Sequence, residues 1–456
     1  MIQELAAAQN AFFAEQKTKD VNFRKQFLKQ LEKEILAQED AVCNALYADF
    51  KKPTFESLAT ETQLVLAEIR LAIKNIGFWA KPVPVPSSWT SFPSREWIQG
   101  EPYGKILIIS PWNYPFMLAI TPLIGALAAG NTAVLKPSEH APNTSKIIAS
   151  IIKKVFPPEY VAIVEGGVEE STELLAQKWE YIFFTGSTQV GKIVYKRAAE
   201  HLTPVTLELG GKNPCIVDQT ANIPLSAKRI AWGKFLNAGQ TCIAPDYILV
   251  HENAKDGLVK ALKQQIHRFY GQEIEASRDY ARIATQKQYE GLKEMLKGQT
   301  IISGGRHNDS DRYLEPTLVD EPSKESSLMA GEIFGPILPI LAYETKEDLD
   351  RHIKRYGNPL ALYVFSKSKR FQQWIMGNYA FGGGAINDTV VQITNGRLPF
   401  GGIGNSGIGS YHGKHSFDLF SHKKSIVKRA TWLDVPLRYA PYGIPIAWVK
   451  RFKHLF

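Results

Sequence analysis

The sequence predicts an α/β protein with two doubly wound parallel sheets and a small extended arm. From residue 103, short apolar runs alternate with helical stretches, the pattern of a parallel sheet that helices cover on both faces. A second alternating series begins after Asn213, which predicts a second sheet. Before both series lies PVPVP, Pro82–Pro86, which cannot be helical and therefore predicts an extended segment.

Residues 1–80 have the pattern of helices, because apolar residues such as Phe27, Leu31 and Ile35 recur at helical spacing. The aromatic segment that continues from PVPVP to Ile98 is expected to form an extended arm or hairpin outside the main core. Ligands of doubly wound sheets bind beyond the carboxyl ends of the strands, so the strand ends are the first places to search for a site. The predicted strands are Lys105–Ile109, Thr132–Lys136, Val161–Val164, Tyr181–Phe184 and Val205–Leu209 in the first series, and Pro214–Val217, Tyr247–Val250 and Leu360–Ser366 in the second.

One uncharged stretch, Met117–Leu135, is nineteen residues long and could span a membrane by length alone. Pro122 and the turn pair Gly130-Asn131 instead predict a buried helix, a turn and a strand. The N-terminus has no basic region followed by an apolar core, as a signal peptide would. Three scattered cysteines are too few for a disulfide framework or a zinc site, so we expect a cytoplasmic protein without a metal.

The charge balance is the unusual feature of an otherwise ordinary globular composition. The chain has 456 residues, with 54 Lys+Arg against 45 Asp+Glu, a net charge of +9. Residues 421–456 hold eight of these cations and one acid, a net +7, so the other 420 residues carry only +2. Aromatic residues accompany the cations in 431–456, which favours either a peripheral membrane contact or a tail that packs on the protein. A basic tail without a base-reading module argues against nucleic acid.

A glycine-rich turn, TGSTQVG at Thr185–Gly191, follows a predicted strand and leads into a helix. Such a turn offers backbone N–H groups and a positive helix end to a pyrophosphate, although a turn without a ligand is the alternative. The motif nearly matches an ATP-binding P-loop, but Ile193 stands where that loop needs Ser or Thr for magnesium. The GxGxxG at Gly402–Gly407 lacks a preceding strand and a following helix, and predicts a flexible loop.

Cys242 follows a polar turn, Asn237–Thr241, whose backbone N–H groups are expected to lower the pKa of its thiol and to stabilise charge on its target. A buried, unreactive cysteine is the alternative. Cys43, in a helix pattern, and Cys215, in a strand pattern, are expected to be inert core residues. Glu208, at an apolar strand end, is a candidate general base with a raised pKa, or else a carboxylate that points to solvent.

Taken in order, seven segments resemble the NAD(P)-dependent aldehyde dehydrogenases. The resemblance covers roughly residues 50 to 425, and GNSGIGSYHGKHSF at Gly404–Phe417 is most similar to the class 3 branch, which includes fatty aldehyde dehydrogenases. The segments are PWNYP (Pro111–Pro115), KPSE (Lys136–Glu139), FTGSTQVG (Phe184–Gly191), LELGGKNP (Leu207–Pro214), GQTC (Gly239–Cys242), EIFGP (Glu332–Pro336) and PFGG (Pro399–Gly402).

The resemblance implies a chemistry for three residues. Cys242 corresponds to the nucleophile, and its thiolate attacks the aldehyde to give a thiohemiacetal and then a thioester. Asn113 donates to the oxyanion beside the Cys242 backbone N–H, and Glu208 activates the water that hydrolyses the thioester. CoA-acylating relatives lack this glutamate, so the implied product is a carboxylic acid. The implied substrate is a medium- or long-chain aliphatic aldehyde or an aromatic one.

The resemblance also implies a cofactor, which is NAD, with NADP accepted as well. Lys136 and Glu139 hold the adenosine ribose, and a carboxylate there favours the free 2′-hydroxyl of NAD. The implied pyrophosphate and nicotinamide positions are Gly186, Ser187, Gly191, Glu332 and Phe334.

Finally, the resemblance implies a domain plan and a homodimer. Residues 1–80 and 99–208 form the NAD(P)-binding domain, and 209–415 form the catalytic domain. Residues 81–98 and 416–430 form a bridging oligomerisation arm, and 431–456 form the basic aromatic tail.

Overall fold

The helical pattern before residue 80 is confirmed in the computed structural model, which describes residues 2–434, 436–443 and 445–451. A π-helical turn, Leu58–Thr62, joins the fourth and fifth helices of this region. The helices are α1 Ile2–Ala14, α2 Val21–Ala37, α3 Glu39–Phe50, α4 Thr54–Ser57 and α5 Gln63–Trp79.

Strands and helices then alternate, as predicted. The strands are β1 Val83–Val85, β2 Ser94–Pro102, β3 Lys105–Ile109, β4 Thr132–Lys136, β5 Val161–Ile163, β6 Tyr181–Thr185, β7 Val205–Glu208, β8 Pro214–Val217, β9 Tyr247–His251, β10 Ile301–Ser303, β11 His307–Asn308, β12 Tyr313–Leu314, β13 Thr317–Asp320, β14 Ile337–Tyr343, β15 Ala361–Phe365, β16 Gly383–Ile386, β17 Gly407–Ile408 and β18 Ser421–Arg429. The helices after α5 are α6 Pro115–Ala129, α7 Pro142–Val155, α8 Val168–Leu175, α9 Thr188–Ala199, α10 Ile223–Phe235, α11 Glu252–Tyr270, α12 Gln286–Leu296, α13 Ser327–Ala330, α14 Lys346–Lys354, α15 Lys369–Asn378, α16 Lys414–Leu419 and α17 Ile446–Arg451.

The first sheet has the strand order β17-β7-β6-β3-β4-β5, and all neighbours except β17 and β7 are parallel. From β3 the chain moves outward through β4 and β5, and then it returns to start β6 on the other side of β3. This reversal makes a crevice at the carboxyl ends of β3 and β6, the position where doubly wound sheets bind ligands.

The second sheet has the order β10-β13-β14-β9-β8-β15-β16 and is parallel except at β10. Strand β7 of the first sheet ends at Glu208, and β8 of the second begins at Pro214. The chain therefore passes from one sheet to the other across 209–213, where the sequence predicts the junction. The assignment of the two parts as separate domains stays a prediction.

The uncharged stretch Met117–Leu135 forms the predicted buried helix, turn and strand. Every residue of α6 is buried, Gly130 ends it with a positive φ of 101°, and β4 follows at Thr132. Glycine adopts this left-handed conformation without the steric cost of a side chain. Within the described residues, no helix is both long and apolar enough to cross a membrane.

The prediction of a flexible loop at Gly402–Gly407 needs correction. The segment begins no helix, as expected, but Gly404 and Gly407 form an antiparallel bridge and β17 pairs with β7. A Cβ atom at Gly402 would overlap the Ser406 carbonyl, so the glycines permit a tight turn that packs against the first sheet. The turn thereby places Gly407 opposite Glu208.

The predicted arm forms a separate three-stranded sheet of order β1-β2-β18. Strand β18 pairs with β2 along nine residues, from Ser421 opposite Pro102 to Arg429 opposite Ser94. The arm thus joins the segment before the first sheet to the segment after the second.

We expect Asn131→Ala to lower the free energy of unfolding by about 2 to 4 kcal/mol, because it orphans buried backbone groups. The Asn131 side chain accepts from the Gly104 N–H at 2.9 Å and donates to the Ala126 and Phe420 carbonyls, both at 3.0 Å. Urea denaturation measures the change. The control is Asn378→Ala, on an exposed helix face, with an expected change below about 0.5 kcal/mol. Equal stability of the two variants would contradict this role of the buried Asn131 side chain.

Candidate active site

A cavity of about 270 Å³ opens at the crevice between the carboxyl ends of β3 and β6. Its walls come from both sheets, so residues far apart in the sequence share one space. Seven of the ten site residues predicted from the sequence line it: Asn113, Gly186, Ser187, Glu208, Cys242, Glu332 and Phe334.

The topology explains why these residues meet. Asn113 follows β3, Gly186 and Ser187 follow β6, and Glu208 ends β7, so all four lie at one edge of the first sheet. Cys242 lies before β9, at the edge of the second sheet that faces this crevice.

The loop that carries Cys242 has an unusual backbone. Asn237, Ala238 and Gly239 have φ values of 54°, 51° and 75°, three consecutive residues in the left-handed region. A side chain at Gly239 would overlap the Gly335 carbonyl, so glycine is required there for the loop to approach the EIFGP segment. Such strain persists only where surrounding contacts hold it.

Those contacts come from both flanks of the loop. The Asn113 Nδ2 atom donates to the Gln240 carbonyl at 3.1 Å, and Asn237 Nδ2 donates to the Asn113 carbonyl at 2.9 Å. The hydroxyls of Tyr114 and Thr241 share a hydrogen bond of 2.6 Å. Because an amide nitrogen carries two hydrogens, Asn113 keeps a second donor for the cavity.

On its other side, the Cys242 backbone is tied to the second sheet. Asn213 Nδ2 donates to the Cys242 carbonyl at 2.7 Å, and the Asn213 side chain accepts from the Ala361 N–H at 2.8 Å. The Tyr363 hydroxyl donates to the Ile243 carbonyl at 2.6 Å. The thiol is thus fixed between the two sheets.

The expected lowering of the Cys242 pKa is wrong for this structure. The thiol is open to the cavity but surrounded by protein, and this burial raises its pKa above the ordinary value. The carboxylates of Glu332 and Glu208 raise the pKa further. The N–H groups of Cys242 and Ile243 oppose the shift, as the sequence predicts, but they do not outweigh it.

Glu208 is buried, with 2% of its surface exposed, so the alternative that it points to solvent is wrong. Neither carboxyl oxygen has a hydrogen-bond partner among the described residues. Burial raises the pKa of this carboxyl well above its usual value. A carboxyl group in this state can take up a proton near neutral pH.

Glu332 and Phe334 form the wall opposite Glu208. Burial raises the pKa of Glu332 to about 8, the nearby Asp246 adds to the shift, and the Gly211 N–H opposes it. A Cβ atom at Gly210 would overlap the Glu332 carboxyl, so a larger residue there would displace this side chain. Phe334 has a φ of 52°, and its ring meets Trp112 edge-on at 5.5 Å.

Sequence reasoning missed the ion pair of Lys212 and Asp246, which holds the segment of Glu332 and Phe334 in place. Lys212 Nζ lies 2.6 Å from Asp246 Oδ2 and donates to the Gly331 carbonyl at 2.8 Å. Asp246 Oδ1 accepts from the Ile333 N–H at 3.0 Å. Both side chains are almost completely buried. Lys212 belongs to the motif LELGGKNP, and its position in that motif is the feature of the sequence that could have indicated its role.

Three predicted cofactor residues lie outside the cavity. Lys136 ends β4, and its Nζ lies 3.3 Å from Glu139 Oε2. Glu139 lines a neighbouring cleft at the same edge of the first sheet. Gly191 lies one turn into α9, where a Cβ atom would come within 2.7 Å of Leu209, so its lack of a side chain permits close packing.

These residues fit a dinucleotide. The turn at Gly186 and Ser187 leads directly from β6 to the N-terminus of α9, the arrangement that binds a pyrophosphate. The Ser187 hydroxyl accepts from the Val190 N–H at 3.4 Å, which leaves other first-turn N–H groups for a ligand. The cleft at Glu139 follows β4, and the turn itself lines the cavity that contains Glu332.

Comparisons with known proteins agree with this geometry. A family model described as "Aldehyde dehydrogenase family" matches residues 2–426. The chain is 48% identical to 4,4'-diaponeurosporen-aldehyde dehydrogenase of Staphylococcus aureus, over 97% of each chain. It is 41% identical to aldehyde dehydrogenase family 3 member A2 of Mus musculus, over 96% of this chain and 92% of that protein. The substrate-bound structure of Staphylococcus aureus AldH is 46% identical, with a TM-score of 0.97 over 99% of each chain.

The raised pKa of Cys242 makes a prediction for the cofactor-free protein. Only the thiolate reacts with iodoacetamide, so the alkylation rate constant should rise about tenfold per pH unit from about pH 6 to pH 9. Mass spectrometry of peptides follows the reaction, with Cys242→Ser as the control. A rate that levels off below about pH 7 would show a lowered pKa and contradict this electrostatic description.

Proposed function

Since this chain belongs to the aldehyde dehydrogenase family, we propose that Cys242 and Glu208 carry out its oxidation of an aldehyde to a carboxylic acid. The family consists of NAD(P)-dependent oxidoreductases, as predicted, and the α/β fold is confirmed by the likeness to a solved member. One observation carries the proposal: Cys242, Asn113 and the unpartnered carboxyl of Glu208 converge on one cavity.

In the first step, Cys242 loses its thiol proton to water, the thiolate sulfur attacks the aldehyde carbon, and the carbonyl oxygen becomes an oxyanion. The second N–H of Asn113 and the Cys242 backbone N–H are the donors for this oxygen. One such donor is worth about 3 kcal/mol of activation free energy. Because the hydrogen bond from Asn113 to Gln240 fixes the amide before the substrate arrives, no reorganisation is needed during the reaction.

Residues of the cavity and residues at the neighbouring cleft hold the cofactor. Lys136 and Glu139 bind the adenosine ribose, Gly186 and Ser187 contact the pyrophosphate, and the remaining wall at Glu332 and Phe334 positions the nicotinamide. The chemistry that a bound NAD(P) supplies is hydride acceptance, which converts the thiohemiacetal on Cys242 into a thioester.

Glu208 then takes a proton from the water that attacks the thioester, and the Cys242 thiolate leaves. The reaction needs the ionised carboxylate, and burial raises the pKa of Glu208. Hydrolysis therefore accelerates as the pH rises through that pKa. The presence of this base makes the product a free acid rather than an acyl-CoA.

The proposed substrate is a medium- or long-chain aliphatic aldehyde or an aromatic one. Leu118, Trp112, Phe334 and Phe400 give the cavity an apolar wall, which suits an apolar chain next to the reacting carbonyl. The relative from Staphylococcus aureus is named as a 4,4'-diaponeurosporen-aldehyde dehydrogenase, which agrees with an aldehyde substrate.

The proposed assembly is a homodimer. In the three-stranded sheet, β18 is an edge strand nine residues long, and in the described part of the chain no strand covers its outer side. Long uncovered edge strands are usually covered by another segment or another chain. Similarity to a family 3 member agrees with the dimer expected of class 3.

For the tail, we propose peripheral contact with an anionic membrane. Two described aromatic residues of the tail, Trp432 and Tyr442, are both 76% exposed. This exposure favours a surface contact over the alternative of a self-packed lid. Phe452, Lys453 and Phe456, which also belong to the pattern, lie outside the described residues.

We expect Glu208→Gln to form a single rapid burst of NADH and then turn over at least about 100-fold more slowly than the wild type. Glutamine keeps the size of the side chain but cannot take a proton from water, so the acyl group remains on Cys242. Stopped-flow absorbance measures the burst, and intact-mass spectrometry detects the acyl-enzyme. The control is Glu200→Gln, an exposed residue directly after the last residue of α9. Wild-type turnover by Glu208→Gln would contradict the proposed role.

We expect the full chain to sediment with vesicles of mixed phosphatidylserine and phosphatidylcholine, and residues 1–430 alone to remain in solution. Each cation near an anionic surface contributes about 1 kcal/mol, so salt should weaken the binding. Vesicles of phosphatidylcholine alone are the control. Equal binding by both chains would exclude the tail as the contact.

A further inference from the structure

Two charged residues in the helical region before the first sheet form a buried ion pair that the proposed mechanism leaves unused. Lys52 Nζ lies 2.7 Å from Glu61 Oε1, and both side chains are 0% exposed. A buried pair is costly to desolvate, and compared with apolar residues of the same shape it often adds no stability. A role in addition to stability is therefore worth testing.

The second carboxyl oxygen of Glu61 binds the N-terminus of α6, the helix that follows the candidate oxyanion donor Asn113. Glu61 Oε2 accepts from the Phe116 N–H at 2.9 Å and from the Met117 N–H at 3.1 Å. These are first-turn N–H groups of α6, which have no partner within the helix, and a carboxylate also suits the positive end of the helix. Glu61 reaches them from the π-helical turn Leu58–Thr62.

Lys52 supports the adjacent residue. Its Nζ lies 3.9 Å from the centroid of the Tyr114 ring, a cation–π distance. The hydroxyl of the same tyrosine bonds to Thr241, directly before Cys242. The two charges therefore contact both sides of the Asn113 segment, one through the helix that follows it and one through a tyrosine that reaches the nucleophile loop.

We infer that Lys52 and Glu61 are positioning residues, which hold Asn113 and Tyr114 against the loop of Cys242. The inference rests on the proposed roles of Cys242 and Asn113. Neither charge touches the reacting atoms, because neither lines the cavity. Their effect is on the distance between the sulfur and the amide donor, which the transition state requires to be fixed.

The test measures kcat and KM of Glu61→Gln and of the double variant Lys52→Met/Glu61→Gln. Glutamine has one acceptor oxygen and cannot bind Lys52 and the two helix N–H groups at once, so kcat per folded molecule should fall at least tenfold while KM changes less than twofold. The double variant leaves no unpaired buried charge, so its melting temperature should recover toward that of the wild type while kcat stays low. Recovery of stability without recovery of kcat separates positioning from folding.

The control variant is Arg24→Gln. Arg24 belongs to α2, and its side chain binds the C-terminal end of α6. Arg24 is buried and donates to the Ala128 carbonyl at 3.1 Å, so its loss should lower the melting temperature and leave kcat per folded molecule unchanged. Tyr114→Phe is a second test that changes no buried charge. It removes only the bond to Thr241 and should also lower kcat with little change in KM.

The outcomes are distinguishable. An active wild type with wild-type kcat in the double variant or in Tyr114→Phe would overturn the positioning role alone. A wild type that reduces neither NAD nor NADP with any aldehyde of the proposed class would contradict the proposed function itself.

Discussion

The site depends on the hydrogen-bonded contact between the segment after β3 and the loop before β9. Asn113 and Cys242 belong to different sheets, and neither sheet alone fixes the distance between them. The bonds from Asn113 to Gln240 and from Tyr114 to Thr241 fix that distance, and they hold three left-handed residues in place beside it. The rest of the cavity is arranged around this contact, because Glu208, Glu332 and Phe334 all face it.

Burial has opposite consequences for the reactivity of Glu208, the proposed base, and of Cys242, the proposed nucleophile. It raises the pKa of Glu208, which makes this carboxyl a usable base near neutral pH. It also raises the pKa of Cys242, which makes the free thiol less reactive than a polar turn would indicate. In this account the same desolvation that strengthens the oxyanion donors also keeps the cysteine protonated in the protein without cofactor.

Much of the fold follows from local patterns, because the information lies in short segments. The run Ile106–Ile109 is apolar throughout, as suits a strand buried on both faces, and the bounds of its strand, Lys105–Ile109, are those predicted. Seven ordered motifs also identify the family and most residues of the cavity.

What local patterns miss depends on partners distant in sequence. The N–H groups that donate to Glu61 lie 55 and 56 residues away, and the carboxylates that add to the raised pKa of Cys242 come from two other segments. A charged residue in a helical pattern normally faces water, so nothing in the pattern of Lys52 or Glu61 indicates a buried pair.

The most direct measurement is NADH formation from a medium-chain aldehyde by the wild type, by Cys242→Ser and by Cys43→Ser. A serine hydroxyl is a far weaker nucleophile than a thiolate, so the account predicts no NADH from Cys242→Ser. Cys43 is buried in a helix away from the cavity, and its variant should match the wild type per folded molecule. NADH formation by Cys242→Ser at the wild-type rate would contradict the central claim that both sheets converge to place this thiol as the nucleophile.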